Sequence, residues 1–282
     1  MTTEADRLMS RITPRNLQIA LLGALFAARG RRYRRRPDVI RDISFGDHPR
    51  LRLDIYPPEG SDPAPVVMFL HGGRFEAYDK ETHALVGRAL RQMGVVGVLA
   101  NYRLYPDAVY PAFCHDAVDA LGWIANTIAE YGGDPYRIIL CGHSAGAVIT
   151  TLLALDGDRY GLRPGLLRGA IALSGLYDYE HSPWHGGKII DVMGGQETYS
   201  SIAQPIKVAG QGGAVPLLIL HGEADDLCPV AGARALYTAQ KAAGVPVEIQ
   251  TYPRYDHYQT LFSLLRPRTP IRERVAAFAH SV

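Results

Sequence analysis

Cysteine is scarce in this chain of 282 residues, and Cys114, Cys141 and Cys228 form an odd set without C-x-x-C spacing. That argues against both a disulfide framework and a cysteine-built metal site, and the apolar surroundings of two of the three mark them as small buried hydrophobes. Metal-ligand spacing is absent from the other residue types as well. A glycine fingerprint opening the first strand-helix unit is also missing, which argues against a dinucleotide-binding enzyme. No metal and no cofactor is therefore expected. The chain has no repeat or low-complexity tract, and its apolar N-terminal stretch, residues 17–28, is too short to span a bilayer. Hydrophobic content of 47% with 21% charged residues describes an ordinary soluble globular protein.

The net charge of +2 is unevenly spread. Residues 1–41 hold ten arginines against Glu4, Asp6 and Asp38, an excess of +7, and the remainder carries −5. A secretory signal places its positive cluster before the apolar run, whereas here the arginine-rich stretch 29–36 follows it. Export is disfavoured on that ground, and a cytoplasmic location is expected. Leu17, Leu21, Leu25 and Ala28, with Leu22 and Phe26 beside them, recur at helical spacing and predict a helix whose apolar face needs a partner. Residues 1–37 are accordingly read as a basic amphipathic segment, and residues 38–282 as one α/β domain. The segment is expected to pack near a site mouth as a cap. The alternatives are membrane-surface contact through residues 15–36 and an oligomer contact. Tyr33 is the sole aromatic residue in the basic stretch, so nucleic acid is not an expected partner. Nothing in the sequence sets the oligomeric state.

From residue 38 onward strand-like and helix-like segments alternate. Residues 39–45 and 51–56 read as an antiparallel hairpin, and 65–70 as a strand buried on both faces. Helix 79–93, strand 95–101, helix 112–131 and strand 137–142 follow. Further strands are expected at 169–173, 215–220 and 247–252, with a helix at 230–243 and a C-terminal helix. Eight strands separated mostly by helices imply a mainly parallel sheet with helices on both faces and its chemistry at the carboxyl ends of the strands.

Three such ends carry reactive residues. Gly142-His143-Ser144-Ala145-Gly146 joins a strand to a helix through a turn too sharp for side chains at 142 and 146, the setting of a nucleophile elbow. A serine hydroxyl needs a base to take its proton, and the base needs an acid to hold its tautomer. His257 follows the last strand and can be the base. The acid is Asp225 or Asp226, both just past the strand at 215–220. His71-Gly72-Gly73-Arg74-Phe75 follows the third strand, where a turn poor in β-carbons can aim backbone N–H groups of Gly72, Gly73 and Arg74 at a developing oxyanion, joined by that of Ala145.

Together these pieces resemble the α/β-hydrolase superfamily, in particular carboxylesterases of the hormone-sensitive-lipase type and the related feruloyl-esterase-like and kynurenine-formamidase-like group. Asn101-Tyr102-Arg103-Leu104-Tyr105-Pro106, Gly132-Gly133-Asp134-Pro135, His221-Gly222-x-x-Asp225 and Asp256-His257 complete the match over about residues 65–260. Arg74 stands where lipase-like members often have a third glycine. Phe75 and Gly175-Leu176-Tyr177-Asp178 look like the formamidase side. The resemblance implies an α/β-hydrolase fold with a small cap from the N-terminal segment and residues 175–214. It favours Asp225 over Asp226, giving a catalytic set of Ser144, Asp225 and His257. It also implies hydrolysis of small-molecule esters with short-to-medium acyl chains through an acyl-enzyme. Arylformamidase activity on N-formylkynurenine with the same triad is the alternative. A non-catalytic binding protein on this fold would be expected to have lost a triad member, and none is missing.

Overall fold

The computed structural model describes residues 14–60, 63–180, 182–183, 187–211 and 215–282. The start of the expected N-terminal segment, residues 1–13, lies outside them, as do the side chains of Leu17, Leu21 and Leu22.

Eight strands form one sheet in the order β1-β2-β4-β3-β5-β6-β7-β8. The hairpin β1 (Ile40–Ser44) and β2 (Arg52–Tyr56) lies at one edge, with β2 antiparallel to both neighbours. The other strands, β3 (Ala64–Leu70), β4 (Val96–Ala100), β5 (Gly133–His143), β6 (Leu167–Leu173), β7 (Leu217–Gly222) and β8 (Val247–Tyr252), run parallel. Their carboxyl ends therefore share one edge.

The central strands are apolar on both faces because helices cover both. Side chains alternate across a strand. Val66, Met68 and Leu70 of β3 accordingly join Ile138 and Leu140 of β5 on one side, while Val67, Phe69, Ile139 and Cys141 lie on the other. The first face packs on α3 (Ala112–Thr127), α4 (Ala145–Asp156) and α7 (Val230–Ala242). The second packs on α2 (Ala84–Arg91), α8 (His257–Leu265) and α9 (Pro270–Ser281). The loop region after β6 holds only the short helices α5 (Lys188–Val192) and α6 (Gln196–Tyr199) and a single 3₁₀ turn among its described residues.

Two expected helices differ. The helix read at 79–93 is formed only as α2, because the Asp79 carboxylate takes the Thr82 backbone N–H (2.7 Å) and hydroxyl, which holds residues 79–83 in a turn. The expected C-terminal helix is two. Pro267 and Pro270 flank the break between α8 and α9, and Pro270 starts α9, where its missing N–H is no loss.

The N-terminal helix α1 (Pro14–Arg34) lies against the second face, on α2 and beside α8, through Phe26 of the expected stripe but not through Leu25 or Ala28. Leu25 is 47% exposed and Ala28 is exposed, whereas Phe26, Gly30, Tyr33 and Arg34 face inward. Phe26 meets His83 and Phe262 edge-on, and Tyr33 stacks on Tyr56. At Gly30 an added β-carbon would come 2.7 Å from the Thr82 carbonyl oxygen, so helix and turn approach as closely as a glycine allows. Arg34 then reaches the fully buried Asp54 of β2 (2.5 Å), which also takes the buried Lys80 ammonium at 2.9 Å. Asp42 binds both cations, and Glu81 takes the Lys80 ammonium at 2.7 Å. The helix is thus fastened by a charged network that a search for apolar periodicity does not reveal.

Candidate active site

β5 ends in a turn in which Ser144 has a strained backbone, at φ 55°, ψ −118°. The two glycines make this possible. A β-carbon on Gly142 would lie 2.2 Å from the Gly146 carbonyl oxygen, and one on Gly146 would lie 2.1 Å from that of Leu70. Ser144 is thereby half-buried at the strand tip, immediately before the first turn of α4.

His257 and Asp225 reach it from two other strand ends. The Ser144 hydroxyl donates to His257 Nε2 at 3.0 Å, and His257 Nδ1–H donates to Asp225 Oδ2 at 3.0 Å. Asp225 is buried and its other oxygen takes the N–H groups of Leu227 (3.1 Å) and Cys228 (2.8 Å), so both oxygens of the carboxylate are engaged. Asp226 is exposed. Burial opposes the charge on Asp225, but the His257 hydrogen bond and positive charge outweigh it and hold its pKa below the ordinary carboxylate range. Burial likewise opposes the His257 imidazolium, yet the Cys228 sulfur and the Asp225 carboxylate raise its pKa.

The imidazole is held in place by more than its acid. His257 is the first residue of α8, whose N-cap Asp256 accepts the N–H groups of Tyr258 and Gln259 in a capping box with Gln259. The His143 Nε2–H and the Thr260 hydroxyl both donate to the His257 carbonyl, at 3.0 and 2.9 Å. The His143 ring lies 4.8 Å from that of His257. Sequence reading had given His143 no role, since its partner lies 114 residues away.

Gly72, Gly73 and Arg74 leave β3 on the same side as Ser144 and Ala145, and all five line one cavity of about 510 Å³ together with His257. Gly72 has to be small: its β-carbon would lie 2.9 Å from that of Ser144. Gly73 has φ +118°, and a side chain there would strike the Ala77 carbonyl. The N–H of Ala145 opens α4, where a helix has no acceptor of its own and its dipole favours negative charge. Phe26 of α1, Ile189 and Val192 of α5, Tyr179, Leu261 and Phe262 form apolar walls. All three thiols are buried, as expected, Cys114 in α3 and Cys141 in β5, and Cys228 in addition lines the same cavity. The signal for Cys228 was its place three residues after the candidate acid.

A sequence profile described as alpha/beta hydrolase fold matches residues 67–261. Among curated proteins, the chain is 27% identical over 240 residues to isoprenylcysteine alpha-carbonyl methylesterase of Arabidopsis thaliana, covering 78% of this chain and 56% of that one. It is 30% identical over 264 residues to an esterase of Mycobacterium tuberculosis, covering 84% and 61%. The chain thus spans little more than half the length of these curated relatives. Among solved structures, an esterase of Pyrobaculum calidifontis superposes with a TM-score of 0.72 at 24% identity, covering 96% of this chain and 97% of that one.

Proposed function

The chain belongs to the alpha/beta hydrolase fold family, and from that premise we propose that it is a serine hydrolase of the carboxylesterase type. The observation that carries this reading is the unbroken hydrogen-bonded chain from Ser144 through His257 to Asp225 at a cavity wall. In the reaction, His257 Nε2 takes the Ser144 proton as Oγ attacks the ester carbonyl. Asp225 holds the Nδ1–H tautomer and stabilises the imidazolium that forms. The carbonyl oxygen, as it becomes an oxyanion, is met by N–H groups of Gly72, Gly73 or Arg74 and of Ala145, each such donor contributing about 2.7–4 kcal/mol. His257 then protonates the departing alcohol, and water repeats the sequence on the acyl-enzyme.

The acyl preference follows from the cover over the cavity. A cavity of about 510 Å³ is in the range of small-ligand sites. Among the described residues its cover comes from Phe26 of α1, Ile189 and Val192 of α5 and the loop residues Tyr179 and Pro183, which offer no long groove to gain about 0.8 kcal/mol per buried methylene of an extended chain. With p-nitrophenyl esters, kcat/KM should peak between acetate and hexanoate and fall toward laurate. Ser144→Ala should lower kcat by about 10⁴-fold or more with the fold retained, and an organophosphonate should label the Ser144 peptide alone. A laurate optimum would overturn the acyl assignment. Labelling elsewhere would overturn the nucleophile, and faster turnover of N-formylkynurenine than of any ester would place the enzyme with the formamidases.

A further inference from the structure

Cys228 is presented to the proposed catalytic residues by its backbone. Its N–H donates to the Asp225 carboxylate at 2.8 Å, and its carbonyl accepts the Nε2–H of the buried His221 at 2.7 Å. Held from both sides, the residue is 4% exposed and lines the cavity together with Ser144 and His257. Donor atoms of Asp225, Cys228 and His257 all lie within 4.8 Å of one another, and the cavity opens onto Cys228 and His257. Thiolate and imidazole donors about 2.0–2.3 Å from a tetrahedral zinc ion are separated by roughly 3.5 Å, inside the 4.8 Å spread of the donor atoms here.

From this geometry we propose a binding site for a thiophilic divalent cation of the zinc type, built on Cys228 Sγ and His257 Nε2, that shuts the enzyme off. Ser144 Oγ, 3.0 Å from Nε2, stands ready as a third oxygen donor, and water from the cavity supplies the fourth. Asp225 on Nδ1 takes the place of the carboxylate that commonly orients a zinc-bound imidazole. On binding, the Cys228 thiol loses its proton to solvent and a metal–sulfur bond forms, with no change of oxidation state. The cation occupies the Nε2 lone pair that would otherwise accept the Ser144 proton. Metal and acyl transfer therefore exclude each other. Mg²⁺, which prefers oxygen donors, should leave the enzyme active at the same concentration.

The test uses the full chain and zinc chloride. Wild-type protein should lose ester hydrolysis as Zn²⁺ is added and regain it with a chelator. Cys228→Ala and Cys228→Ser, each compared with its own metal-free rate, should need at least about tenfold more Zn²⁺ for half inhibition. Co²⁺ in place of Zn²⁺ should give wild-type protein a thiolate-to-cobalt charge-transfer band that both variants lack. This readout needs no turnover, so it stands even if the ester assignment fails. Equal Zn²⁺ sensitivity of wild type and variants, or bound Co²⁺ without the thiolate band, would overturn the site.

Discussion

Asp225 and Asp226 are adjacent in the chain and opposite in environment. The first is buried, with one oxygen on His257 and the other on two backbone N–H groups; the second is exposed. Replacing the buried carboxylate by an amide puts an N–H donor or a weaker acceptor where His257 Nδ1–H needs a strong acceptor, and so favours the wrong tautomer. Asp225→Asn should therefore lower kcat by about 10³- to 10⁴-fold, while Asp226→Asn should stay within a few-fold of wild type. Steady-state kinetics on the two variants checks the ranking, and the reverse order would move the acid to Asp226. This pair was ambiguous in the sequence because adjacent residues in a loop have no periodicity to tell their directions apart. Cys228 and His143 were obscure for a related reason: each acts on His257, which lies far along the chain, and contact at that separation leaves no local pattern.

Among the elements, α1 shows a face that pattern reading caught only in part. The expected stripe included Leu25, Phe26 and Ala28; Leu25 and Ala28 meet solvent, while Phe26 docks together with a glycine, a tyrosine and an ion-paired arginine. An apolar-stripe search weighs only hydrophobicity, and here close approach and charge decide the packing. The sheet was far more legible, since strands such as β3 and β8 are continuous or alternating apolar runs that few other structures can accommodate. The docking of α1 makes Phe26 part of the cavity wall. Phe26→Ala should raise KM for aryl esters several-fold and change kcat little, because the side chain touches the cavity at a distance from the Ser144–His257 pair. Initial rates over a substrate series would show this. A lowered kcat at unchanged KM would mean that α1 shapes the reacting residues and not the pocket.

For the whole molecule, acid sensitivity follows from buried imidazoles. Burial is the main cause that pushes His71 down to about 3 and His83 down to about 4; the two rings stack on each other, with Arg50 and Asp79 as the nearest charges. The unfolded chain binds protons on the same residues near pH 6.5, and the native protein does not until the lower values are reached. The unfolded state thus gains protons first as pH falls. The contribution of these two rings should be fully present above about pH 6.5 and decline through pH 4, by about 1.4 kcal/mol per unit for each of the two. Urea midpoints at pH 7, 5.5 and 4.5 would measure it. A midpoint unchanged down to pH 4.5 would show that these rings reach solvent or a proton acceptor in the native state.

The cavity draws its lining from α1 at Phe26 to α8 at Phe262, and the proposed base and nucleophile stand 113 residues apart. During synthesis, then, a ribosome-bound chain already holding Ser144 and its elbow has no imidazole to activate it and no floor beneath its pocket. The proposed activity would arrive only once the chain through Phe262 has emerged, so a half-made chain would leave the esters around it untouched.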